Sequence, residues 1–194
     1  MRGMTMQDML KPPTRYRLTV ADYLALDQTG AFEGLRTELI EGEIIVANPQ
    51  SSRHLVVKSE LAYRLRLALG EIGSPLFVAI AGTVEIADRS MPEPDILIIE
   101  PPHGEGYVQV SSVHLAVEVA ATSLELDLRD KARLYAAAGI PEYWVADVNG
   151  RVIHQLWAPT GQGYAERREV AFGEVVEAMT IAGLRVKTGR LWVK

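Results

Sequence analysis

The chain has no cysteine, which excludes disulfides, thiolate metal sites and cysteine nucleophiles. No apolar run approaches the roughly 18–20 residues needed to cross a bilayer. Met1 to Pro13 lacks the apolar centre of a signal peptide. The expected location is therefore cytoplasmic. Positive charge is scarce, with 20 Lys and Arg against 25 Asp and Glu, a formal net charge of −5. That balance argues against a broad nucleic-acid-coating surface, since non-specific affinity comes mainly from cationic side chains. It leaves room for clustered acids holding a metal beside a few local basic residues. There is no Gly-x-Ser-x-Gly and no phosphate-binding glycine loop, and Gly104-Glu105-Gly106 reads as an ordinary loop. His103 and His114 lack partners at metal-binding spacing, and His154 alternates along an outer hairpin, so a zinc site is not expected.

What is present is ordinary for a folded domain: 48% hydrophobic and 23% charged residues in 194. A lead-in over residues 1–17, broken by Pro12-Pro13, precedes one domain over 18–194. Thr19 with Asp22 three residues on predicts a short helix carrying Tyr23, Leu24 and Leu26. Thr37–Ile40 and Glu43–Val46 flank Glu41-Gly42 as a tight hairpin. Ser51 or Ser52 caps a helix whose apolar positions are Leu55, Val56, Leu61, Leu65 and Leu69. Strands follow at Leu76–Ala81, Thr83–Ile86, Asp95–Ile99 and Leu115–Ala121. A helix from Leu126 to Ala138 stops at Gly139 with Pro141 beyond. Tyr143–Asp147 and Arg151–Trp157 form a hairpin around Val148-Asn149-Gly150, with further strands near Tyr164–Val170, Val175–Ala178 and Leu191–Val193. The order predicts a mixed sheet with helices packed against it.

The chemistry concentrates between Pro94 and Lys131. Asp95 opens Ile96-Leu97-Ile98-Ile99, a run typical of a strand buried on both faces; alone, it fits a turn aspartate equally well. Glu118 lies inside Leu115–Ala121 and shares a strand face with Ala116 and Ala120. A buried glutamate is costly unless paired; the bland alternative is an edge strand with one wet face. Lys131 belongs to the set Asp127, Lys131, Tyr135, spaced by four along a helix, and its ammonium is placed to reach the Glu118 face. An exposed Asp127–Lys131 pair, worth about 0.3–0.5 kcal/mol, is the plain alternative. Glu38 shares a face with Ile40, pointing it inward, although a solvated hairpin acid is the simpler reading. His54 at a helix start reads as a cap or surface residue. Two carboxylates on neighbouring strands repel unless a cation lies between them. A divalent metal held by oxygens beside a lysine is a common phosphodiester-cleaving arrangement.

In this order and spacing the motifs are familiar. Thr37-Glu38-Leu39-Ile40-Glu41-Gly42-Glu43 is followed by Asn48-Pro49 and His54, then by Glu93-Pro94-Asp95-Ile96 and Val117-Glu118-Val119. Asp127-Leu128-Arg129-Asp130-Lys131 leads into Tyr135, Gly139-Ile140-Pro141-Glu142-Tyr143-Trp144 and Asp147. From Leu18 to Trp157 the chain resembles the Uma-type endonucleases, small bacterial proteins of the restriction-endonuclease-like PD-(D/E)XK superfamily. The resemblance implies an α/β (α+β) fold, a restriction-endonuclease-like core with a mixed β-sheet flanked by helices and added β-hairpins. It implies Mg²⁺ or Mn²⁺ held by Asp95, Glu118 and the Val119 carbonyl, with Glu38 as a further acid. The superfamily's usual lysine, two residues after the glutamate, is replaced here by Ala120, and Lys131 supplies the ammonium from the following helix. Ala120-Ala121-Thr122-Ser123 also departs from the Ser-Pro-Ser-Thr-like run of relatives.

The expected activity is metal-dependent endonucleolytic hydrolysis of phosphodiester bonds, with DNA as partner. Asp95 and Glu118 hold the metal, Glu38 completes the acidic shell, and Lys131 stabilises the transition state. Asp127, Tyr135 and His54 support these groups. Arg53 and Lys58, with Arg64 and Arg66 on the same helix, contact the nucleic-acid backbone. Two other readings stand beside this one. The first is a nuclease-like nucleic-acid-binding module without turnover. The second is a protein-interaction domain, a homodimer built through the C-terminal strands, with Trp157, Tyr164, Phe172 and Trp192 as aromatic surface.

Overall fold

The computed structural model of the chain describes residues 14–102 and 104–191. The expectations on residues 1–13, His103, Trp192 and Val193 lie outside the described residues. Six strands form one mixed sheet. In spatial order they are β10 (Gly163–Ala171), β9 (Val152–Thr160), β8 (Glu142–Asp147), β7 (Val113–Ala120), β5 (Ile96–Ile99) and β3 (Phe77–Ile80). Within it β7 and β8 run parallel, while the other neighbours are antiparallel. A parallel pair needs a crossover, supplied here by the helical segment between Leu124 and Ala137.

The central strands are buried on both faces, as their continuous apolar runs require. Ile96 and Ile98 of β5, Val117 and Val119 of β7, and Trp144 of β8 enter one core. Leu97, Ala116, Ala120, Tyr143 and Val145 enter the other. On the first face lie helix α2 (Ser52–Glu71) and a ribbon of β11 (Val175–Glu177) and β12 (Arg185–Lys187). On the second lie α4 (Ala132–Ala137) and the hairpin of β1 (Thr37–Ile40) and β2 (Glu43–Val46). The result is a mixed sheet flanked by helices, with added hairpins, as the sequence predicts.

The local signals explain the frame around the site. Helix α1 (Val20–Gln28) starts on a reciprocal capping box between Thr19 and Asp22. The β1–β2 turn places Glu41 and Gly42 at positive φ, 49° and 79°. A Cβ on Gly42 would lie 2.7 Å from the Arg17 Cβ, so the approaching lead-in enforces glycine there. The stop at Gly139 holds, with its φ at 79°.

Several elements differ from expectation. Leu55 and Val56 are exposed; the packed face of α2 is Val57, Leu61, Ala62, Leu65, Ala68 and Leu69. The expected strand at Leu191–Val193 falls mostly outside the described residues, and the last strand among the described residues is β12, which ends four residues before Leu191. Two short strands, β4 (Val84–Glu85) and β6 (Val108–Gln109), pair in parallel away from the main sheet. The crossover helix between β7 and β8 is also irregular. It opens as α3 (Leu124–Leu126), widens into a π-helical turn over Asp127–Lys131, and continues as α4. Ala132 N–H therefore reaches back five residues to the Asp127 carbonyl, which the Tyr143 hydroxyl also meets at 3.1 Å. The C-terminal aromatics serve the fold: Tyr164 stacks on Tyr143 and donates to the Ile140 carbonyl, and Phe172 packs on the core. Among the described residues, no helix is long and apolar enough to cross a membrane.

Candidate functional site

A cleft of about 350 Å³ opens at the end of the sheet where β7 finishes and β5 begins. Its lining includes Glu38, His54, Asp95, Glu118, Val119, Asp127 and Lys131, with Arg36 and Glu93 also on its wall. The fold thus gathers residues far apart in sequence, Glu38 and Lys131 being separated by 93 positions. Strand geometry does most of this. The pairing of Ile96 with Val117 sets Asp95, just ahead of β5, beside the end of β7. Alternation along β7 sends Val117 and Val119 into one core and leaves Glu118 on the face of Ala116 and Ala120, opposite α4. Glu118 is flanked on both sides by strands, so the wet-edge alternative does not apply.

Two clusters of paired acids and bases meet at the cleft. In the first, Glu118 is 4% exposed and its Oε1 receives Lys131 Nζ at 2.8 Å and the Tyr135 hydroxyl at 3.0 Å. Lys131 Nζ also lies 2.8 Å from Glu38 Oε2 and 3.1 Å from Glu38 Oε1. The inward reading of Glu38 is the correct one. Lys131 does not pair with Asp127, because the π-turn breaks the four-residue spacing between them. Asp127 instead takes the Ser123 hydroxyl at 2.6 Å.

In the second cluster every donor converges on Asp95. Lys58 Nζ lies 2.8 Å and Gln50 Nε2 3.3 Å from Oδ1. The Val119 N–H at 2.9 Å and His54 Nε2 at 3.2 Å meet Oδ2. Val119 is therefore present through its amide, which holds Asp95. His54 is buried rather than superficial: its backbone N–H is capped by the Ser51 hydroxyl, and its ring is turned inward onto Asp95. Lys58 is placed differently from expectation too, since an ammonium in a buried pair with Asp95 is not on an outer surface. Sequence reasoning missed this pairing. The available signal was that Lys58 follows Val57 and precedes Leu61 on the packed stripe of α2. Arg53 is exposed beside His54 at the start of α2, while Arg64 turns to Glu60 and the Lys187 carbonyl.

The two clusters differ in electrostatic balance. Burial alone would raise the Asp95 carboxyl, but the His54 and Lys58 contacts outweigh it and hold it at about 2. Burial pushes Glu118 well above the usual carboxylate range; Lys131 opposes this, while Asp127, Glu38 and Asp95 add to it. Asp127 is likewise raised by burial, to about 6. Burial works against the Lys131 charge, yet Glu118, Glu38 and Asp127 together raise its ammonium above the ordinary lysine value. Four carboxyl groups, Glu38, Asp95, Glu118 and Asp127, line the cleft, while two ammonium groups meet them: Lys131, and Lys58 from behind Asp95. Arg36 and Glu93 cancel each other at 2.9 Å.

The acids outnumber the ammonium groups, and their mutual repulsion adds to the raised Glu118 and Asp127 carboxyls, a crowding that a divalent cation would relieve. The available oxygens are hard donors suited to Mg²⁺ or Mn²⁺. The residues fit such an ion in chemistry and in charge. They are not pre-arranged around it: among the described residues no three His, Asp or Glu side chains form a metal-ligand group.

Comparison with known proteins gives the fold and the family. No curated protein matches the chain. A solved structure from Anabaena variabilis, described as "a putative nuclease belonging to DUF820", superposes with a TM-score of 0.64 at 16% identity. The match covers 83% of this chain and 89% of that one, and at such identity it shows the shared fold. The Uma2 family model, described as "Putative restriction endonuclease", matches residues 20–189. The chain belongs to the Uma2 family of restriction-endonuclease-like proteins.

Proposed function

We propose that the protein is a divalent-metal-dependent endonuclease that hydrolyses phosphodiester bonds of DNA in the Asp95–Glu118 cleft. The observation that carries this reading is the crowding of four acids, Glu38, Asp95, Glu118 and Asp127, around one cleft with a lysine held between two of them. Asp95 and Glu118 would hold the metal, with Glu38 adjoining and the Val119 carbonyl as a further oxygen. When bound, a divalent cation polarises a phosphate oxygen and lowers the pKa of a coordinated water.

The chain's own residues supply the rest. The Lys131 ammonium, fixed between Glu118 and Glu38, is a preorganised positive charge where the transition state gains negative charge. The Tyr135 hydroxyl fixes the Glu118 carboxylate. The Val119 N–H and His54 hold Asp95 in one orientation. Asp127 sets the field around Lys131 without touching it. Arg53 meets the phosphate backbone from the exposed start of α2. Ala120 in the usual lysine position favours a module without turnover, whereas Lys131 within bonding distance of the same glutamate supports the catalytic reading.

Purified protein incubated with plasmid and single-stranded DNA in Mg²⁺, Mn²⁺ or EDTA tests the reading, beside Glu118→Ala. Cleavage that disappears in both EDTA and the variant is expected. DNA binding without product under either metal would turn the assignment to a non-catalytic module. Cleavage that survives Glu118→Ala would move the chemistry elsewhere.

A further inference from the structure

Lys58 is an unusual neighbour for a metal-binding aspartate. It is 8% exposed, and its ammonium sits 2.8 Å from Asp95 Oδ1. Burying an ammonium is expensive unless it is paired, and among the described residues Asp95 is the carboxylate that pairs with it. The other lysine of the cleft is in a different position. Lys131 is shared between Glu118 and Glu38, so it keeps an anionic partner when either glutamate turns to another cation. Lys58 keeps none. Its stem is fixed as well, because Val57, Leu61 and Ala62 on the same helix are locked into the core.

We propose that Lys58 is a built-in competitor of the divalent metal: its ammonium occupies Asp95 when metal is absent, and metal binding must loosen the Nζ–Oδ1 contact. This inference rests on the metal-nuclease reading above. The arrangement keeps Asp95 oriented when metal is absent, since Lys58 fixes its Oδ1 while the Val119 N–H and His54 fix its Oδ2. The same contact lowers metal affinity, because a positive charge next to the ligand opposes a second cation and the displaced ammonium loses its partner. Metal occupancy therefore depends on how readily Lys58 gives way, a control that acts through α2 and not through the metal ligands.

The test measures Mn²⁺ binding by calorimetry in wild type, Lys58→Met, Lys58→Arg and Asp95→Asn, with circular dichroism to confirm folding. Lys58→Met is expected to bind Mn²⁺ on the order of tenfold more tightly than wild type. Lys58→Arg, which keeps the charge, should stay near wild type, and Asp95→Asn should lose binding. Unchanged or weaker binding by folded Lys58→Met, with Asp95 still required, would overturn the competitor role and leave the metal-nuclease reading standing. No Mn²⁺ binding by wild type or by Lys58→Met would remove both. If Lys58→Met does not fold, the Lys58 side-chain ¹⁵N resonance of wild type, assigned by its absence in Lys58→Arg, gives the answer. It should be protected from solvent without metal and shift as Mg²⁺ saturates. A resonance that stays fixed through that titration would refute the proposal.

Discussion

Glu118 and Glu142 are both buried glutamates on adjacent parallel strands, yet their surroundings are opposite in kind. Glu142, fully buried at the start of β8, accepts from the Trp144 indole N–H and the Gln155 amide on one oxygen. The Met179 and Thr180 N–H groups and the Thr180 hydroxyl reach the other. Five neutral donors surround it, and they bind the segment leading to β12 onto the sheet. Glu118 has one phenol and one shared ammonium, with three other carboxylates close enough to disturb it. A buried charge ringed by dipoles is a structural device; a buried charge left short of compensation is a place for an incoming cation. Burial alone does not separate them. The supply of donors does.

Neutralising each glutamate should break this comparison in opposite ways. Glu118→Gln is expected to lower metal-dependent cleavage on the order of 10³-fold. Its thermal midpoint should stay at or above that of wild type, because one of the crowded acids is gone. Glu142→Gln should retain turnover per folded molecule while losing about 3–5 kcal/mol of stability, since donors that now face an anion would meet an amide. Melting curves and single-turnover cleavage on both variants check the pair. Equal destabilisation by the two would erase the distinction.

A smaller effect follows from pH. The Asp127 carboxyl, held at about 6 in the fold against an ordinary 3.8, binds its proton more tightly folded than unfolded. Its contribution to stability is present below pH 4 and is lost as pH rises through 6, a change of about 3 kcal/mol. Asp95 runs the other way: held at about 2, it stabilises the fold above pH 4 and loses that contribution as pH falls towards 2. These two groups by themselves put the stability maximum near pH ~4. Chemical denaturation between pH 3 and 8 should show the decline above pH 4, and Asp127→Asn should flatten it. The smallest effect belongs to the exposed Arg129–Glu125 pair. Arg129→Ala should leave the thermal midpoint and the cleft essentially unaltered.

Much of the sheet was legible because burial on two faces writes itself as uninterrupted apolar runs. Ile96–Ile99 and Leu115–Ala120 were read as strands for that reason, and the acids interrupting or heading them stood out. The hairpins were legible from turn chemistry at Glu41-Gly42 and Asn149-Gly150. What stayed hidden depends on tertiary pairing. Lys58 and His54 occupy positions that a helical period assigns either to solvent or to core, and only the approach of Asp95 makes them members of a polar cluster. The exposure of Leu55 and Val56 is the same error in reverse. The π-turn left no mark in composition, so the alternative Asp127–Lys131 pair rested on a spacing the helix does not keep.

That widened turn has a consequence for reading relatives by alignment. A helix with one surplus residue has two frames: Asp127 belongs to the register before the turn, and Tyr135 to the one after it. A homologue lacking the surplus residue can be laid over either half without a gap, but not over both. Matched on the Asp127 side, it places its lysine and tyrosine one position early; matched on the Tyr135 side, it shifts its aspartate. An apparent loss of any of these residues elsewhere in the family then measures where the gap was set, and the lysine is to be sought one residue to either side before it is counted as missing.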